Sequence, residues 1–314
     1  MRFTIKFLAV ASLIANTTYG RAIQQSLSDS SGSLREGLQT RDVTFPLASN
    51  DQVLLEETPF ASGMLGGVKD IHILRHKNVR QGERVQGGQK LRILGVGDSI
   101  TVGFLSDQDG GDGSGYRQAL RDDLSRNQVA FAGTEYMASS LKDNYFAAWS
   151  GKTIKYISDN VDASLRQQPN LVLLSAGTND MNSMSSISTE GNDPKKAAER
   201  LGSLIDKIHH ACPKAAILVS MIANVCDNSE YHDQHERTKR FQKYIADVVK
   251  TRYYRNQTVL AADFSPFDTG DSLRDCVHPT NRGYQVMGDW WYDFIAQLPN
   301  GWVSEAQGSD PHET

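Results

Sequence analysis

From Leu91 onward, short apolar runs alternate with longer stretches of helical spacing, and this alternation restricts the fold more than any other feature. The strand-like runs are 91–96, 129–132, 171–176, 216–221 and 259–262. The helix-like stretches are 116–126, 154–166, 194–211, 234–250 and 281–298. In 194–211 the residues Ala197, Leu201, Leu204, Ile205 and Ile208 recur at helical spacing, and Asp193-Pro194 supplies a capping residue and a first-turn proline. Along 281–298, Tyr284, Met287, Trp291, Phe294 and Leu298 make one apolar face. Five strands alternating with helices predict an α/β fold, a three-layer α/β/α sandwich around a five-stranded parallel sheet with right-handed crossovers.

Ligands of such sheets bind outside the carboxyl ends of the strands. The first apolar run stops abruptly at Gly97-Asp98-Ser99, which places a serine where a strand hands over to a helix. Asn179 follows the third run, and His278 lies beyond the fifth with Asp275 three residues before it. Gly151 follows a turn-like stretch between them. These residues are distant in sequence, yet the topology sends them to one edge. A serine, an imidazole, a carboxylate and two polar donors are the parts that serine-based acyl transfer needs.

The segments Gly97-Asp-Ser-Ile, Ser150-Gly-Lys-Thr, Gly177-Thr-Asn-Asp and Asp275-Cys-Val-His278-Pro resemble the four blocks of the SGNH (GDSL) hydrolase superfamily, over roughly 91–298. With Gly115-Tyr-Arg after the serine block and His278-Pro followed by Gly283-Tyr284, the wider pattern resembles carbohydrate esterase family 3, secreted microbial esterases that typically act on acetylated xylan. The resemblance implies a flavodoxin-like sheet, no cofactor, and no metal in the chemistry. It makes Ser99 the nucleophile, His278 the general base and Asp275 the residue that holds the imidazole tautomer. The Ser99 N–H, the Gly151 N–H and the Asn179 side-chain amide then form the oxyanion hole. Each role has its own physical warrant. A serine hydroxyl is a poor nucleophile unless a base removes its proton, and imidazole can accept that proton and return it near neutral pH. A glycine lets its N–H approach a developing oxyanion closely, and asparagine adds a neutral donor. The second block departs from the family in reading Ala148-Trp149-Ser-Gly-Lys-Thr. Asp98 and Trp149 are candidate substrate contacts, with Trp149 either stacking on a sugar or serving as packing. Asp180 reads as a structural cap.

Outside these blocks the sequence speaks to location and organisation. Arg2 and Lys6, the apolar run 7–15 and the small residues near Gly20 read as a signal peptide over 1–20, too short to span a bilayer. Residues 21–90 form a low-regularity N-terminal extension, 91–298 the catalytic domain, and 299–314 a C-terminal tail. The expected product is a secreted, extracellular monomer. A formal charge of -4 argues against nucleic-acid binding, which needs clustered cations. Three cysteines leave one unpaired; Cys226 and Cys276 should lie at the same sheet edge and pair, leaving Cys212 as a buried thiol. Asn256-Gln-Thr258 is a glycosylation sequon. The Asp107–Gly115 loop has the wrong register for calcium, and His209-His210 and His232-x-x-His235 lack the partners that specify zinc.

The leading functional reading is a secreted serine esterase that removes short acyl groups, above all acetyl, from plant cell-wall polysaccharide such as xylan or from another small acyl ester. A lipid or lysophospholipid acylhydrolase of the same superfamily is the first alternative. A non-catalytic secreted carbohydrate-binding protein is the second.

Overall fold

A computed structural model describes residues 71–312. The signal peptide reading, and the extension up to residue 70, lie outside the described residues. The strands are β1 (Ile73–Leu74), β2 (Leu91–Gly97), β3 (Val129–Ala132), β4 (Glu135–Tyr136), β5 (Tyr145–Ala148), β6 (Leu171–Ser175), β7 (Ala216–Met221) and β8 (Val259–Asp263). The helices are α1 (Ser99–Val102), α2 (Arg117–Asp123), α3 (Ile154–Asn160), α4 (Asp162–Leu165), α5 (Pro194–Ala211), α6 (His232–Tyr253) and α7 (Asn281–Ala296).

All five expected strands form, and they lie in the order β3-β2-β6-β7-β8, all parallel. In chain order this is 2-1-3-4-5, the flavodoxin-like arrangement, whose switch point falls between β2 and β6. The sheet is larger than the five strands expected: eight strands belong to it among the described residues. β1 pairs with β8, so residues just before the first long strand join the same sheet. β5 joins β2 only through Val96↔Ala147 and Gly97↔Ala148, and β4 runs antiparallel to β5. Two-residue strands, and a four-residue strand ending in Ala-Ala, carry too little alternation or β-preference to stand out in a sequence.

Each long strand is buried on both faces, as a parallel sheet covered by helices requires. Alternation then splits its side chains between two cores. Leu94, Val96, Val172, Leu174, Ile217 and Val219 face α3, α5 and α6, where Ile157, Leu201, Ile205, Phe241 and Ile245 meet them. Leu91, Ile93, Leu171, Leu173 and Leu218 face α2 and α7, where Leu120, Tyr284, Met287, Trp291 and Phe294 lie. Truncating a fully buried leucine such as Leu173 to alanine costs about 2–5 kcal/mol in settings of this kind. The Asp193 side chain accepts from the Lys196 N–H with Pro194 in the first turn of α5, as the sequence indicated.

Candidate active site

Ser99 stands at the start of α1, directly beyond the carboxyl end of β2. Gly97 makes the tight turn possible: a Cβ there would lie 2.2 Å from the Ser175 carbonyl oxygen and 2.3 Å from Thr101 Oγ1. The Asp98 carboxylate caps α1 by accepting from the Ile100 N–H at 3.1 Å, and Gly103 ends the helix in the left-handed region. The Ser99 N–H belongs to a first helical turn, where no intrahelical acceptor exists.

Ser99 Oγ lies 2.8 Å from His278 Nε2, although most of the domain separates them in sequence. On the far side of the ring, His278 Nδ1 lies 2.8 Å from Asp275 Oδ2. A carboxylate can only accept, so Nδ1 carries the hydrogen and Nε2 presents its lone pair to the serine hydroxyl. Asp275 is itself held in place, because its Oδ1 accepts from the backbone N–H groups of Val277 (3.1 Å) and His278 (2.7 Å). Burial pushes the Asp275 carboxyl up, but the hydrogen bonds from the His278 ring and backbone, with the attraction of that ring, outweigh it and hold the group at about 2.

Gly151 and Asn179 line the same cavity as Ser99, Asp275 and His278, with a volume of about 540 Å³. Gly151 has a φ of +73°, and nothing lies within 4 Å of where its Cβ would be. Asn179 Nδ2 donates one hydrogen to the Lys152 carbonyl at 3.0 Å, which fixes the amide plane and leaves a second N–H to offer. The five residues singled out in sequence are therefore brought together at the switch point. A serine hydroxyl, an imidazole, a carboxylate, an open glycine and a side-chain amide thus share one cavity.

Two expected substrate contacts are not in the cavity wall. Asp98 is buried beneath the serine, where capping α1 occupies it. Its burial pushes the carboxyl up to about 6, against the lowering pull of the Ile100 N–H, His278 and Thr178. Trp149 packs, partly buried, against the core on the α3 side and meets Tyr156 edge-on, with ring centroids 5.9 Å apart. Asp180 is the structural cap expected of it. It accepts from the Ile154 N–H at the start of α3 (2.9 Å) and pairs with Arg200 (2.8 Å). His232 and His235 gather around Asp227 (2.7 and 3.9 Å) beside the Cys226 loop, with the His235 side chain mostly buried.

The structure adds residues that carry no sequence signal. Phe104 lies against the His278 ring, with centroids 4.7 Å apart, and Met184, Ile187, Tyr231 and Val277 complete an apolar wall. All come from loops, where no periodicity marks a side chain as facing a ligand. Cys226 and Cys276 form the expected disulfide, and Cys212 is a buried free thiol. Among the described residues, no helix is long and apolar enough to cross a membrane.

The sequence profile of the GDSL-like Lipase/Acylhydrolase family matches residues 96–286. A multidomain esterase of Ruminococcus flavefaciens is 26% identical over 252 residues, covering 71% of this chain but only 30% of that protein. Among solved structures, a family 3 carbohydrate esterase of Clostridium thermocellum superposes with a TM-score of 0.54 at 25% identity, covering 66% of this chain and 98% of its own. A family 3 carbohydrate esterase of Talaromyces cellulolyticus gives 0.52 at 20% identity, over 66% and 97% of the two chains, and shares the fold. With a profile match that runs from the end of β2 into α7 and takes in every residue of the serine–histidine–carboxylate array, the chain belongs to the GDSL-like lipase/acylhydrolase family of carboxylic ester hydrolases.

Proposed function

We propose that the protein is a secreted serine esterase that removes acetyl groups from polysaccharide through an acyl-enzyme on Ser99. The observation that carries this reading is the continuous hydrogen-bonded path from Ser99 Oγ through His278 to Asp275, opening on a cavity that also holds Gly151 and Asn179. Ser99 Oγ attacks the ester carbonyl as its proton passes to His278 Nε2. The oxyanion meets the N–H groups of Ser99 and Gly151 and the Asn179 amide, and Asp275 stabilises the imidazolium. Collapse breaks the bond to the alkoxide, which takes the proton from His278 and leaves as a sugar hydroxyl. Water then attacks the acyl-enzyme with His278 again as base, releasing acetate and restoring Ser99. The likeness to a clostridial family 3 carbohydrate esterase supports a carbohydrate ester, and the disulfide suits an oxidising compartment.

The apolar wall of Phe104, Met184, Ile187, Tyr231 and Val277 favours a second reading, an enzyme for longer acyl chains. Nitrophenyl esters of increasing length, together with acetate release from acetylated polysaccharides, separate the two. Rates highest at acetate, with acetate freed from polysaccharide, support the proposal; rates rising beyond butyrate with no such release favour the lipid-like substrate. Ser99→Ala should lower turnover by roughly 10⁴-fold or more. A variant that keeps wild-type turnover removes the acyl-enzyme from the reading.

A further inference from the structure

A second depression, of about 220 Å³, adjoins the catalytic cavity and shares two of its lining residues, Gly151 and Ile187. The two spaces meet at Gly151, where nothing lies within 4 Å of the place a Cβ would take. The catalytic cavity sets Phe104, Met184, Tyr231 and Val277 beside polar residues such as Asn182 and Gln234, whereas the groove sets Lys152, Ser186, Thr189 and Glu190 around the ring of Tyr156, with Ile187 common to both.

Tyr156 projects from α3 with 38% of its surface exposed. Its ring is braced edge-on by Trp149 and lies 4.9 Å from the Lys152 ammonium. The charged groups of the groove are two lysines, Lys152 and Lys155, and two carboxylates, Asp159 and Glu190, with Lys155 and Asp159 paired at 2.7 Å. Such a balanced set offers no excess of positive charge to a phosphate or other anion. It offers donors, acceptors and one aromatic ring, which match a neutral molecule bearing hydroxyls on an apolar ring.

We infer that the groove formed by Lys152, Tyr156, Ser186, Thr189 and Glu190 is a subsite for a sugar unit of the alcohol half of the ester, while the apolar wall receives the acyl half. The inference rests on the polysaccharide reading of the catalytic site and adds a location for the sugar. A chain bound there reaches the nucleophile across Gly151, where the oxyanion donors stand. The groove tells the enzyme which alcohol carries the acyl group; the serine does the chemistry.

Two variants test it, measured against acetylated xylo-oligosaccharide and against nitrophenyl acetate, whose leaving group carries no sugar. Tyr156→Ala removes the ring, and Ser186→Trp fills the groove from an exposed position. The expected result is a loss in kcat/KM on the oligosaccharide about tenfold greater than on nitrophenyl acetate, and mainly through KM. Proportional losses on both substrates, or no loss on the oligosaccharide, overturn the subsite while leaving the polysaccharide reading intact. A wild-type enzyme that cleaves nitrophenyl acetate but frees no acetate from any acetylated oligosaccharide overturns the polysaccharide reading and the subsite with it. Binding of the oligosaccharide to Ser99→Ala by calorimetry gives a readout independent of turnover; weakening by Tyr156→Ala in that background is expected.

Discussion

Asp98 and Asp275 flank Ser99 and His278, and their surroundings move them in opposite directions. Burial raises Asp98 to about 6, while the His278 ring and backbone overcome burial at Asp275 and hold it at about 2. The consequences for stability have opposite signs. Asp275 is below its unfolded value, so its contribution is present above about pH 4 and is lost as pH falls towards 2. Asp98 is above its unfolded value, so its contribution is present below about pH 4 and is lost as pH rises towards 6. Asp98→Asn, which can still accept from the Ile100 N–H, should match the wild type near pH 4 and exceed it by up to about 3 kcal/mol at pH 7. Urea unfolding at the two pH values checks this, and an equal difference at both would remove Asp98 as the cause. Asn179 makes a separate case. Its amide is fixed by Lys152 outside any core, so Asn179→Ala should leave the melting temperature in place and lower kcat by about 10²–10³. Comparing kcat with the thermal midpoint separates a lost oxyanion donor from a damaged fold.

The elements that are legible in the sequence are those whose burial pattern repeats. Ala197, Leu201, Leu204 and Ile208 mark α5 along its length, and the five long strands appear as predominantly apolar runs, interrupted by Arg92 in β2 and Ser220 in β7. Their order also carries Ser99 and Asn179 to the ends of neighbouring strands, so the convergence of these residues on one edge is legible in the sequence. What escapes depends on single side-chain directions. Nothing in Gly97-Asp98-Ser99 says that the aspartate turns inward to cap α1, and nothing around Trp149 says that its ring packs beside Tyr156. The loop residues Phe104, Met184 and Ile187 have no repeat to betray them. At the same scale, the disulfide joins the loop after β7 to the segment carrying Asp275 and His278, and the Cys226 N–H also donates to the Cys276 carbonyl at 3.0 Å. A bridge across a separation of 50 residues restrains the unfolded chain by about 4 kcal/mol in the loop-entropy account. Cys226→Ser should therefore lower the unfolding free energy by about 2–4 kcal/mol and reduce kcat through a looser Asp275–His278 segment. Dithiothreitol should shift the wild type in the same way and leave the variant unchanged; a variant that still responds would locate the effect elsewhere.

At the scale of the whole described domain, the two ends of the sheet have separate tasks. The carboxyl end holds Ser99, Asp275 and His278, while the final residues of the described chain close the amino end. Arg92, in β2, has a side chain only 2% exposed, so its charge must be answered inside the protein. Its guanidinium donates to the carbonyls of Gln307 (2.6 Å), Gly308 (2.9 Å) and Ser309 (2.8 Å), and to Gln167 at 3.2 Å. Asn170 donates to the Ser304 carbonyl, Lys90 pairs with Asp310, and His312 stacks on Tyr145, which fastens the same segment at three further points. Ending the chain after Val303 would leave Arg92 with the Gln167 carbonyl alone. An unanswered buried charge costs about 3–5 kcal/mol, so the truncated protein should lose stability of that order in urea unfolding. Replacing Arg92 with methionine in the truncated chain removes the charge and should recover much of the loss, whereas the same substitution in the full chain strands the tail carbonyls and should destabilise it. That reversal of sign is the coupling a double-mutant cycle reads. If methionine destabilises both chains equally, the tail acts by covering apolar surface and Arg92 is incidental. The kcat/KM on nitrophenyl acetate of the folded truncated protein should stay at the wild-type level, because Ser99 and His278 stand at the opposite end of β2.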